Sequence, residues 1–145
     1  DWSSDVCSSR SIAETALAPF SRRAIAKRDK KLLKSGERIS SLPDSRLHEV
    51  RILAKKARYN AEFFRSLYAR KAAKRYVRAL REVQDCLGAL NDAAVAKALV
   101  GSLPHVEPGA AHLMDGWFAA RIAEGKRRIK AVWDELRRVP RFWED

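Results

Sequence analysis

An all-α fold, an antiparallel bundle of about four long helices, is what this sequence predicts. Three observations point there. Apolar residues recur at intervals of three and four from Ser11 onward, and no alternating strand pattern competes with them. Stop signals at Ser35-Gly36, at the Gly101, Pro104, Pro108, Gly109 cluster and at Pro140 cut the chain into long helical stretches. The stretches are joined by short connections, as in a bundle of antiparallel neighbours. A chain of 145 residues is enough for one such core.

The elements follow in order. Residues 1–9, DWSSDVCSS, are polar, Ser-rich and unlike the rest. They are expected to be a non-native scar, similar to a translated sequencing adapter, or a disordered tail, with residues 10–145 forming the domain. A first helix is predicted over about residues 11–33, with a bend near Pro19. Ser41-Leu42-Pro43-Asp44 reads as a capping box that opens a second helix, over about 42–68. A third runs over about 71–100, with Gly88 as its weak interior point, and a last over about 110–139.

The charge is uneven. Of a formal net +12, residues 10–81 carry +15 and residues 82–145 carry −1. A basic first half beside a near-neutral second half implies an anionic partner. Cys7 and Cys86 have neither metal-type spacing nor an obvious pairing, so a reduced, cytoplasmic setting is expected. No apolar run is long enough for a membrane span, and no membrane partner is expected.

The cations are ordered. His48, Arg51, Lys55 and Arg58 are spaced three, four and three apart. At about 100° per residue they fall within roughly 80° of arc. Leu47, Val50, Leu53, Ala54 and Ala57 fill much of the rest of that helix. A charged row beside a core needs a partner. Lys56 lies next to the row. The pattern repeats in the first helix, with Arg23, Lys27, Lys30 and Lys34 and the neighbouring Arg22. It repeats again in the third, with Lys71, Lys74, Arg78 and Arg81. One basic stripe is ordinarily a solvated face. Three in consecutive helices can converge on one wall, and a row of ten residues, about 15 Å long, spans several phosphates. Inorganic polyphosphate is the partner this favours.

Nucleic acid is the rival polyanion. Base recognition needs aromatic platforms, and only Tyr59 and Tyr76 are candidates. Phe63 and Phe64 read as core, and Trp117, Trp133, Phe142 and Trp143 as packing. His48 reads as a member of the cationic row. His105 and His112 are remote in sequence, so no metal site and no cofactor are expected. No Gly-rich phosphate loop or nucleophile motif is present, and no enzymatic activity is expected. Gln84, Asp85, Asn91 and Asp92 are expected to bond across helices or to pair with the cations.

The segments LHEVRILAKKARYNAEFF and LREVQDCLGALNDAAVA, and the ending PRFW, together resemble the conserved histidine α-helical domain (CHAD) family over about residues 21–143. The resemblance implies a pseudo-symmetric pair of four-helix units around a basic groove, of which this chain is similar to the C-terminal half. It implies polyphosphate binding, association with polyphosphate granules, and a link to triphosphate-processing enzymes. By position, His48, Arg51, Lys55, Lys56 and Arg58 match its basic motif. Glu62 also matches and is expected to orient Arg58 or Arg65. Arg141 is an insertion in the Pro-Phe-Trp ending. The resemblance further implies an exposed apolar face, covered by the missing N-terminal half or by a second copy in a homodimer.

Overall fold

The computed structural model describes the backbone of residues 2–144 and the side chains of residues 15–144. Among the described residues there are four α-helices, two short 3-10 helices and no strand. Residues 2–9, read from the sequence as a scar or a tail, belong by backbone to α1, and their side chains lie outside the described residues. Helix α1 spans Trp2–Ser35 and contains Pro19. A 3-10 helix, η1, follows at Ile39–Ser41, then α2 at Asp44–Phe64 and a second 3-10 helix, η2, at Arg65–Leu67. Helix α3 spans Arg70–Gly101 and α4 spans Pro108–Arg138.

The predicted second helix is shorter than expected because its last turn tightens into η2. Its start also differs. Ser41 does not cap α2: it ends η1, and its hydroxyl donates to the Arg38 carbonyl at 2.9 Å. Pro43 takes the cap position, and its carbonyl accepts from the amides of Arg46 and Leu47. Asp44 still places a carboxylate in the first turn, where the helix dipole favours it. A cap the sequence reading missed opens α4, where the Glu107 carboxylate accepts from the Ala110 amide at 2.9 Å.

In α2 the buried positions are Leu47, Val50, Ala54, Ala57, Ala61 and Phe64, at intervals of three and four. This is the seam of a helix with one buried stripe. Three alanines in the seam let neighbours approach closely. Helix α1 contributes Ser21, Ile25, Asp29 and Leu32. Helix α3 contributes Tyr76, Val77, Leu80, Val83 and Leu87, and α4 contributes Ile129, Trp133 and Leu136. Gly36 is required where it stands: a Cβ there would collide with the Trp133 ring.

The segment after α4 completes the core. Phe142 and Trp143 are buried, edge-on to Tyr68 and Tyr76. Arg141 holds them there. Its Nε donates to Asp29 Oδ2 at 3.0 Å, and Nη1 donates to the carbonyls of Leu136 and Val139 that end α4. Tyr76 donates its hydroxyl to Asp29 Oδ1 at 2.8 Å. Burial, with the Asp29 carboxylate beside it, pushes the Tyr76 phenol far above its usual range, so it remains a donor. Ser21 ties α1 to the chain after η2 through a 2.6 Å bond with the Tyr68 hydroxyl.

Two aromatic assignments change. Phe63 is 78% exposed and Trp117 is 57% exposed. Phe63 stands one position beyond the seam that buries Phe64. Trp117 lies in the first half of α4, toward the loop that joins α3 to α4. Leu113, beside it on α4, and Val95 and Leu99 of α3 are also exposed.

Candidate anion-binding surface

The stripe on α2 sits one residue after each seam position, which turns it toward α3. Arg58 Nε donates to Gln84 Oε1 across the two helices at 2.6 Å. Arg51 lies over Gly88, its guanidinium within ordinary contact of where a Cβ would be. His48 and Arg51 share a small cleft with Leu87 and Asn91. Among the described residues Asp85, Asn91 and Asp92, unlike Gln84, make no bond to the stripe. Gly88 is therefore no break in α3 but the floor beneath an arginine.

The α2 and α3 stripes meet at Glu62. Its Oε1 accepts from Arg58 at 3.2 Å and from Arg81 at 3.3 Å. Arg65, the other expected partner, does not reach it. Instead Arg65 lines a cavity of about 640 Å³ with Arg70, Lys74, Arg78 and Arg81. Arg81 belongs to both the pair and the cavity, so one cationic surface runs from His48 along α2, through Glu62, to the start of α3. Arg70 was not singled out by the sequence reading, and Arg65 only as a partner for Glu62. They lie at the α2–α3 turn, where helical periodicity carries no information.

The balance of charge on this surface favours an anion. Arg78 pairs with Glu82 at 3.1 Å, in an exposed pair worth little. Among the described residues, Arg51, Lys55, Lys56, Arg65, Arg70 and Lys74 have no acidic partner. Lys71 is exposed at the start of α3 but does not line the cavity. Arg58 differs from the rest. Its side chain is only 18% exposed and it is fixed by Gln84 and Glu62, so its guanidinium is pre-aimed.

Of the two tyrosines considered as base platforms, Tyr76 is buried and committed to Asp29. Tyr59 is half exposed, with the Arg58 guanidinium 4.8 Å and the Lys55 ammonium 5.7 Å from its ring centre.

The α1 stripe does not join this surface. Arg22, Arg23 and Lys27 are exposed and line neither large cavity, while Lys30 and Lys34 line a different one, against α4. The physical reason is the order of packing. Helix α2 is flanked by α1 on one side and α3 on the other, so a stripe on α1 cannot share the α2–α3 groove. Among the described residues, no cluster of three or more His, Cys, Asp or Glu is placed to hold a metal ion.

No curated protein and no solved structure matches the chain. A family model, that of the CHAD domain, matches residues 1–101, which takes in α1, α2 and α3 but not the PRFW ending. The match covers well over half of the sequence and the whole of the cationic α2–α3 surface. On that basis the chain belongs to the CHAD domain family.

Proposed function

We propose that this chain is a binding module for inorganic polyphosphate, held on the α2–α3 surface. The observation that carries the reading is the cavity at the α2–α3 turn, where five cations from η2 and the first half of α3 converge. Membership of the CHAD domain family supports it, since that family is linked to polyphosphate and triphosphate proteins. Arginines supply forked donors to successive phosphates and lysines supply mobile point charges. Arg58, already oriented, sets the register. Each phosphate neutralised releases counterions, so affinity falls steeply with salt. The surface needs no catalytic group for this task, and association with polyphosphate granules follows from it.

Titration with long-chain polyphosphate at several salt concentrations is the direct test. Absence of binding at low salt, or binding indifferent to salt, removes the reading. Replacing Arg51, Lys55 and Arg58 with Ala is expected to abolish most affinity and leave helicity unchanged. Tyr59 keeps one rival open, because an exposed ring flanked by two cations can stack a base. Single-stranded RNA that competes on equal terms with polyphosphate, and loses its affinity in Tyr59→Ala, would favour that rival. Among the described residues no helix is long and apolar enough to cross a membrane.

A further inference from the structure

A cavity of about 1040 Å³ opens between the second half of α1, the η1 turn, α4 and the C-terminal segment. No residue of α2 or α3 lines it. Its size is at the upper end of the range of small-molecule sites, roughly 300–1,000 Å³. Three independent features mark it.

The first is charge. Lys30, Lys34, Arg38 and Arg137 line the cavity without acidic partners among the described residues. Two of the four acids in the wall are already committed. Asp29 is bound by Tyr76 and Arg141, and Asp134 is paired with Lys130 at 2.9 Å. Glu37 and Glu144 remain, so the uncommitted wall is net positive.

The second is an unused donor. Trp143 lines the cavity and is 1% exposed, and its indole N–H has no hydrogen-bond partner. A buried donor left without an acceptor is costly and rare, and it marks a place where an acceptor belongs. The third is backbone strain. Arg38 sits in the left-handed region at φ 54°, ψ 42°, which a residue with a Cβ disfavours. Strain of this kind persists where surrounding structure imposes it, and it concentrates at binding sites.

We propose that this groove is a second anion site, for a small organic phosphate that carries an apolar body. Two lysines and two arginines suit the double charge and several oxygens of a phosphate group. The Trp143 ring forms part of the wall, so its indole N–H resonance reports on occupancy. Leu33, Ala26 and Ile39 give the wall an apolar side that a bare phosphate chain would leave unused. The site is separate from the α2–α3 surface and does not depend on what binds there.

The test uses 1-naphthyl phosphate as the probe and the full chain labelled with ¹⁵N. Binding is expected at micromolar to low millimolar concentration, with a downfield shift of the Trp143 indole Nε1–H resonance. Lys30→Ala with Arg137→Ala is expected to weaken binding at least tenfold, and the single reversal Lys34→Glu to do so with less risk to the fold. Lys74→Ala with Arg78→Ala is expected to change it less than twofold. That α3 pair is expected instead to weaken long-chain polyphosphate, which separates failure of this site from failure of the α2–α3 reading. The proposal is overturned if the probe does not bind, if 1-naphthol binds as well as its phosphate, if the Trp143 resonance stays still on binding, or if the α3 pair weakens the probe as much as the groove variants do.

Discussion

The two ends of α3 follow different rules. From Ala73 to Leu90 the helix buries Tyr76, Val77, Leu80, Val83 and Leu87, and shows Lys74, Arg78 and Arg81 to solvent. Beyond Leu90 it exposes Val95 and Leu99, and Lys97 is its one cation. Both ends are good helix by sequence. What separates them is cover. The first is enclosed by α1, α2 and the Phe142–Trp143 segment, whereas the second borders the start of α2 at Asn91 and Ala94 and otherwise runs beside α4. On α3 the charged face coincides with the stretch where other elements supply the core on its opposite side. The free end is apolar outward and nearly neutral.

The contrast can be broken most strongly at its polar centre. Asp29→Ala removes the partner of both Tyr76 and Arg141 and leaves a guanidinium with little solvent. It is expected to cost about 3–5 kcal/mol in urea unfolding. A loss under about 1 kcal/mol would mean that the C-terminal segment is held by its rings alone. Next comes a matched pair on α3 itself. Leu80→Ala, at a fully buried site, is expected to cost about 2–5 kcal/mol, and Leu99→Ala no more than about 0.5. Equal costs would show that the hairpin end is covered in solution.

Charge sharpens the comparison. Replacing Lys74, Arg78 and Arg81 with Ala is expected to reduce the salt slope of polyphosphate binding by about two, at roughly 0.7 per phosphate contact for a single strand. Replacing Lys97 and Arg121 on the hairpin should leave the slope unchanged. The smallest effect is at the α4 cap. Amides of Gly109 and Ala110 hold the Glu107 carboxyl below its ordinary range. Because the folded value is the lower one, the cap contributes above the usual carboxylate range and is lost as pH falls through the depressed value. The Ala110 amide resonance should report that titration, with a midpoint below an ordinary glutamate's; a normal midpoint would show that the cap does not form.

Helix number, order and approximate extent were legible because periodicity and stop signals are local. The α2 stripe was legible for the same reason: four cations at helical spacing are visible along the chain. Its meeting with α3 was not, because Glu62 reaching Arg81 depends on how two helices are staggered. The expected convergence of all three stripes failed on α1, where the order of packing turned Lys30 and Lys34 toward α4. Ser41 misled as a cap because Ser-x-x-Asp also fits a 3-10 turn that ends just before a helix. Phe63 misled because two adjacent phenylalanines cannot both lie on one helical seam. Arg141, an insertion by resemblance, is the residue that ties α4 to α1.

That tie has a consequence in time. The contact between Arg141 and Asp29 spans 112 residues of chain. The α3–α4 hairpin closes over far shorter distances. Contacts so remote in sequence form late, because the entropy of closing the loop is spent before they give anything back. The hairpin is thus expected to assemble early. Arg141 and Trp143 reach Asp29 and Tyr76 last, after α1 has packed along α2.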